Sequence, residues 1–220
     1  MPPDYRAVVT LITRPTKPLR RNVSPESGAY AGNRQASVDM FNHRLHDRVP
    51  SCADATAVTC TGRRAWVRTH GRRDSGLRMA EGRVEVAADS TSVQLGVDLV
   101  KADVGKNGAV YAGVMGGHGD ARVRSASTLT KPGGAALHAR ADGKVSGYVA
   151  GVYGTYYQND ATRLGAYADT SLQGGRYKNQ INSELGSARY GATVVSASLE
   201  AGYAVKPFAP DSALGGLVVQ

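Results

Sequence analysis

The 220-residue chain has two phenylalanines, one tryptophan and two cysteines. It has no apolar run near the roughly 20 residues that a membrane helix needs. It begins MPPDYRAVVTLITRPTKPLRR, with Asp4 where a secretory leader is basic and an apolar run of only 7–12, broken by Arg14 and Pro15. No signal peptide is therefore expected at this end. There is no Gly-x-Ser-x-Gly. The glycine cluster at 112–121, AGVMGGHGDA, lacks the GxGxxG spacing and precedes no helix, which argues against a nucleotide loop. Cys52 and Cys60 have the wrong spacing for zinc, with no histidine in or beside their loop. They could form a disulfide in an oxidising compartment or stay as two thiols in a reducing one. No cofactor or metal is expected.

What is present is glycine, 27 residues, and tyrosine, 11, with a formal charge of +9. High Gly and Tyr without long apolar runs suit an antiparallel β protein. The charge permits nucleic acid, anionic lipid headgroups or lipopolysaccharide phosphates as partners. Residues 1–27 are rich in Pro and Arg and read as an irregular basic leader or linker. Residues 28–49 carry Tyr30, Val38, Phe41, Leu45 and Val49 at three- and four-residue steps, which predicts one helix, ended by Pro50. Its polar face holds Arg34, Asn42, His43, His46, Asp47 and Arg48. A metal-dependent enzyme using His43 and His46 is conceivable from this face, but a solvated helix face needs no metal.

From residue 65 the period changes to two. Six strands are expected, near 65–71, 91–100, 109–119, 143–160, 164–175 and 192–205, with a seventh beginning at 217–220. The apolar set Val93, Leu95, Val97 and Leu99 alternates with Gln94, Gly96 and Asp98. Asp169 and Gln173, then Ser198 and Glu200, alternate in the same way with apolar or small residues. An acid in mid-strand is costly in a dry core but not beside a hydrated lumen. In 145–157 an uncharged run places Tyr148 and Tyr156 at two ends of one face, as in a lipid-facing strand with aromatics at both interfaces. Connections at 101–108, 158–163 and 206–216 read as short, and those at 72–90, 120–142 and 176–191 as long. That alternation suits a transmembrane barrel. Seven arginines fall in 62–84, as phosphate contacts or as a solvated strand end. No aromatics alternate with them, which weakens single-stranded nucleic-acid binding.

The words MFNHRLHDR (40–48), AWVR (65–68), VQLGVDL (93–99), GVMGGHG (113–119), GYVAGVYGTYYQND (147–160), GAYADTSLQ (165–173) and SLEAGY (198–203) resemble, in order and spacing, the C-terminal translocator of autotransporters, pertactin-like branch. The resemblance covers the chain from about residue 28 onward. It implies an all-β fold: a twelve-stranded antiparallel outer-membrane barrel of Gram-negative bacteria, about six strands of it in this chain, with an N-terminal helix in the lumen. Residues 28–50 would be the lumenal helix and 51–220 the partial barrel. Arg68, Gln94, Asp98, Asp169, Gln173, Ser198 and Glu200 would face the lumen. The first, Asp98, Asp169 and Glu200 would meet the polar face of a helix that includes Tyr30, Arg34, Val38, Phe41, His43, Leu45 and Asp47. Tyr148, Tyr156 and Tyr203 would sit at the lipid interface.

The implied role is type V secretion, anchoring and export of a passenger, with no chemical step and no nucleic acid. Implied partners are outer-membrane lipid and lipopolysaccharide, the barrel-assembly machinery and periplasmic chaperones. Some relatives cleave their helix at Asn-Asn; here the matching place reads Val38-Asp39-Met40, so cleavage is not expected. Half the strands, no passenger, and Ser171, Gly174 and Arg176 at expected aromatic girdle positions together suggest a truncated copy. The alternative is a soluble basic β protein that binds nucleic acid or another polyanion.

Overall fold

The structure is a computed structural model and describes residues 22–48, 62–131 and 133–206. Cys52, Cys60, the leader before residue 22 and the seventh-strand segment lie outside the described residues. Among the described residues one helix, α1 (Pro25–Asp39), and one short 3-10 turn, Leu45–Asp47, precede six strands. These are β1 (Ala65–Met79), β2 (Val84–Val104), β3 (Gly108–Thr130), β4 (Ala136–Tyr157), β5 (Gly165–Ser183) and β6 (Gly186–Ala204). They form one antiparallel sheet in sequence order. Bulges fall between Asp74 and Leu77 on β1 and between Asp98 and Val100 on β2. Among the described residues no helix is long and apolar enough to cross a membrane.

The helix differs from the sequence expectation. It starts at Pro25, whose fixed φ and missing N–H suit a first helical turn, with Glu26 beside it favourable for the helix dipole. It ends at Asp39, not at 49. Its packed side is made of small and polar residues: Gly28, Ala29, Gly32, Asn33, Ala36 and Ser37 are buried. Tyr30 and Val38 of the expected apolar stripe are exposed. Phe41 and Leu45 are buried, but beyond the helix, by contact with the sheet.

The strands are longer than the alternation of hydrophobicity suggests. The connections read as long close instead through 80–83, 131–135 and 184–185. At the opposite end the turns are 105–107 and 158–164, so the short-long rule is not present among the described residues, and the connection expected at 206–216 lies almost wholly outside them. The reason is physical. In the stretches taken for loops the outward positions are charged and many inward positions small, so the apolar period fades while pairing continues, as at Arg73↔Asp89 and Arg122↔Lys144.

The sheet has two unlike faces. One carries α1: Ala36, Met40 and Phe41 pack on Ala121, Val145, Val149 and Tyr177, and Ala29 packs on Ala141 and Ile181. The helix can approach because both sides are shaved. A Cβ at Gly32 would collide with Val123 and stand 3.1 Å from a methyl of Val86. On the wall, a Cβ at Gly117 would stand 3.1 Å from the Phe41 ring, and one at Gly119 would collide with Met40. The other face exposes its apolar residues: Val67 is 73% exposed, Val195 70% and Leu199 82%.

Gly32→Val is expected to destabilise the fold by about 1–3 kcal/mol through overpacking. Gly174, with nothing within 4 Å of a Cβ, is the control. Gly174→Ala should shift the urea midpoint, followed by the fluorescence of Trp66, by less than about 0.5 kcal/mol equivalent. An unchanged midpoint for Gly32→Val would contradict the close helix–wall approach.

Candidate functional site

A helix leaves its last carbonyls without intrahelical donors. Just past the helix end the backbone has no such donors either, and there the sheet supplies them to the carbonyls of residues 40–42. The Ser92 hydroxyl donates to the Met40 carbonyl at 2.9 Å. Gln94 and Gln173 both donate from Nε2 to the Phe41 carbonyl, at 3.4 and 3.2 Å. Arg68 reaches the Asn42 carbonyl at 3.5 Å and fixes the Gln94 amide by donating to its oxygen at 3.0 Å. The N–H of Leu45, which opens the 3-10 turn, donates to Glu200 at 3.0 Å. Strands β1, β2, β5 and β6 thus converge on main-chain atoms of residues 40–45. Each such bond is worth about 1 kcal/mol net, and a buried group left unpaired costs about 1–3 kcal/mol.

A buried cation follows at residue 48. Arg48 Nη2 lies 2.5 Å from Asp169, and its guanidinium sits over the rings of Tyr153 at 4.4 Å and Trp66 at 6.0 Å. Asp169 also accepts from the Thr155 hydroxyl at 2.5 Å. The Tyr153 hydroxyl donates to Asp98 at 2.6 Å and accepts from the Trp66 indole N–H at 3.2 Å. Asp98 further accepts the Arg64 backbone N–H at 3.0 Å. His43 lies beside Trp66, with Nδ1 3.0 Å from the Phe41 carbonyl. Burial pushes its imidazole below the usual range, and the Arg48 and Arg68 charges add to that, against the pull of the Phe41 carbonyl and Asp169. His43, His46 and Asp47 do not converge: His46 instead meets the edge of Tyr167 and stands 4.0 Å from Glu200.

An inserted helix held by polar residues of an antiparallel wall, whose other face is apolar and exposed, fits the comparisons with known proteins. The family described as autotransporter beta-domain matches residues 65–214. This chain belongs to the autotransporter β-domain family. It is 33% identical over 182 residues to the uncharacterized protein YdeU of Escherichia coli K12, covering 81% of this chain and 37% of YdeU. It is 26% identical over 184 residues to the autotransporter adhesin AIDA-I of Escherichia coli, covering 83% of this chain and 14% of the adhesin. The crystal structure of the AIDA-I transport unit superposes with a TM-score of 0.69 at 26% identity, over 84% of this chain and 54% of that one. The chain therefore spans about half the solved transport unit and a smaller share of the curated relatives.

In this autotransporter β-domain, Arg68, Gln94, Asp98, Asp169, Gln173, Ser198 and Glu200 lie on the helix-bearing face. Three of the four expected to meet the polar residues of 28–49 do so, though beyond the α-helix itself: Asp169 pairs with Arg48, Glu200 stands 4.0 Å from His46 and Arg68 stands 3.9 Å from Asp47. Most of them bind main chain, Arg48 or one another. Ser198 pairs with Ser171 at 2.6 Å, so Ser171 is an inner residue and not a girdle position. Tyr148, Tyr156 and Tyr203 are on the opposite face. Arg34 is exposed on the helix beside Tyr30 and Val38.

Sequence reasoning missed Ser92, the anchoring role of Arg48, and Asn33, which donates to the Gln180 carbonyl at 3.3 Å. It also missed the lock on the turn 158–164. There Asp160 takes the Tyr111 hydroxyl at 2.6 Å, Lys101 at 2.8 Å and Arg163 at 2.9 Å. Burial alone would raise the Asp160 carboxyl, but these partners outweigh it and hold it below the usual carboxylate range. The available signal was a cluster of small residues at 28, 29, 32, 33, 36 and 37, a helical face in its own right.

Arg48→Met leaves Asp169 buried without its cation and should cost about 3–5 kcal/mol. Arg48→Met with Asp169→Leu should recover much of that loss. A double variant no more stable than Arg48→Met, by urea unfolding, would contradict the pairing.

Proposed function

We propose that this chain supplies part of an outer-membrane translocator that anchors a passenger and helps it reach the cell surface, with no chemical step of its own. The observation that carries the reading is the outward face of the sheet. Val67, Val93, Leu95, Val97, Leu99, Val114, Val152, Leu172, Val195 and Leu199 are all exposed there, in neighbouring rows across β1 to β6. An apolar patch of that extent suits hydrocarbon and not water. It disfavours the soluble, polyanion-binding alternative. The strands are 15–23 residues long, whereas a tilted crossing needs about 9–11. The remainder, charged on its outward side, would project from the membrane.

The direction of the helix supports a topology. Asn22 exchanges two hydrogen bonds with Thr130 at the hairpin-tip end of β3, at 2.8 and 2.9 Å. The segment 40–48 lies toward the other end, near Thr155 and Asp169. Residues ahead of Asn22 would thus leave on the outer side, and turns 105–107 and 158–164 would face the periplasm. Tyr148, Tyr156 and Tyr203 would lie in the lipid-contacting belt.

Strands β1 and β6 each have an edge without a strand partner among the described residues. An open edge is not tolerated in lipid. These edges, and the exposed Tyr30–Arg34–Val38 side of the helix, would be covered where the family's twelve-stranded wall continues. Barrel-assembly machinery and periplasmic chaperones are the proposed partners in delivery, and outer-membrane lipid with lipopolysaccharide the proposed surroundings.

The test is labelling of the full chain fused to an export signal, with Cys52 and Cys60 changed to Ser. On intact Escherichia coli, Asn22→Cys should react with a membrane-impermeant maleimide. Asn107→Cys should react only after the outer membrane is opened. The reverse pattern, or recovery of the protein in the soluble fraction, would overturn the proposal.

A further inference from the structure

The arginine cluster at 62–84 is largely neutralised within the fold. Arg72 pairs with Asp74 at 2.7 Å, Arg73 with Asp89 at 2.7 Å, Arg78 with Glu85 at 3.5 Å and Arg83 with Glu81 at 2.8 Å. Arg64 lies 3.8 Å from Asp98, and Arg68 is bound to Gln94. A local run of cations is therefore not the free positive surface of the molecule.

The free surface is assembled by pairing instead. On the outward face Lys144 of β4 lies opposite Gln180 of β5, and Gln180 lies opposite Arg189 of β6. One row toward the apolar band, Lys178 lies between Ser146 and Gly191. Among the described residues no acidic side chain is within ion-pair distance of Lys144, Lys178 or Arg189. The nearest outward acids are Asp120 of β3, which lies opposite Ser146 and stands 3.2 Å from His118, and Asp142 of β4 in the row beyond Lys144. With strands about 4.8 Å apart and rows about 7 Å apart, three cations frame a patch roughly 10 Å by 7 Å. The floor is small, Ser146 and Gly191, and the long side chains stand around it. The result is a groove of about 590 Å³ with Lys144, Lys178, Gln180 and Arg189 among its walls.

Its place on the sheet says what it would hold. Moving along the same face, the rows read Val152–Leu172, then Ala150–Gly174–Val195, then Tyr148–Arg176–Thr193, then Ser146–Lys178–Gly191, then Lys144–Gln180–Arg189. Hydrocarbon-compatible side chains give way to an aromatic, then to unpaired cations, within four rows. An amphiphile with acyl chains on one end and phosphate on the other matches that order. A nucleic acid would meet the cations but not the adjoining apolar rows.

We propose that Lys144, Lys178 and Arg189 bind the phosphate groups of an outer-leaflet glycolipid, the phosphorylated headgroup of lipopolysaccharide, whose chains lie along Val152, Leu172 and Val195. The inference rests on the membrane reading given above. It goes further in naming the site and its ligand.

The test uses the full chain folded in zwitterionic detergent, with its β-sheet circular dichroism recorded. Titration with fluorescent lipopolysaccharide is compared with the same lipid after enzymatic removal of its phosphates. Each cation at an anionic lipid surface contributes roughly 1 kcal/mol, about fivefold in binding, so Lys144→Gln/Lys178→Gln/Arg189→Gln should bind the phosphorylated lipid about a hundredfold more weakly. The variant should bind the dephosphorylated lipid as the unmodified chain does. Arg73→Gln/Arg78→Gln, which removes paired cations, should leave discrimination intact.

Equal binding of the two lipids by the unmodified chain, or discrimination retained in the triple variant, would overturn the inference. So would displacement of the lipid by millimolar inorganic phosphate, which would make this a site for small anions. Flotation of the unmodified chain with phosphatidylcholine vesicles is scored separately. Failure to float removes the membrane reading itself, whereas flotation without phosphate discrimination removes only the lipid site.

Discussion

The structure depends on a polar wall holding the main chain of the segment that follows the helix. Ser92, Gln94, Gln173 and Arg68 take the carbonyls of residues 40–42, and Glu200 takes the N–H of Leu45. The constraint behind this is the unmet hydrogen-bonding capacity of buried backbone that has left the helix. Side chains from distant strands meet at one short segment, so the segment reports on the register of the sheet. A slip of one residue would turn Gln94 and Gln173 outward and set Val93 or Leu172 against the carbonyls. The Arg48–Asp169 pair continues the same logic with charge, because an arginine buried in this wall requires a carboxylate partner.

The close approach that makes these bonds possible comes from small residues on both sides. Gly28 and Gly32 of the helix face Val84, Val86 and Val123 of the wall, while Gly143 of the wall faces Asn33 and Gly117 and Gly119 face Phe41 and Met40. The two sheet faces thus divide their work. The inner face spends its polar groups on the helix. The outer face has apolar rows that need a hydrocarbon solvent, bordered by cations that no acid of the described fold neutralises.

Several features were legible in the sequence, and the illegible ones have specific causes. The alternation from Val93 to Leu99 marks β2 because an apolar outer row beside Gln94 and Asp98 gives a strong period of two. The stretches 120–130 and 176–183 do not read as strand because charged outward residues replace apolar ones while the backbone pairs on unchanged. The large apolar residues mark the wrong face of the helix: Val38 is exposed, and Tyr30 is exposed too, touching only the rim of the sheet with its ring 5.3 Å from that of Tyr190. The helix's true contact face is made of glycine, alanine, asparagine and serine, which form no stripe of large apolar residues. The role of the two glutamines was hidden because they bind backbone, and a sequence carries no mark of which carbonyl will need a donor. Cross-strand cation clusters such as Lys144, Lys178 and Arg189 are equally invisible in one dimension, since their neighbours are set by register.

The central claim is that residues 40–48 are fixed by the wall and not by helix propensity. Amide hydrogen exchange of the folded, membrane-embedded chain tests it most directly. The account predicts slow exchange at 40–48, comparable with β2 and β5. It also predicts that Gln94→Leu/Gln173→Leu releases 40–48 to fast exchange while the strands stay protected. Equal protection of that segment in both proteins, or none in either, would contradict it.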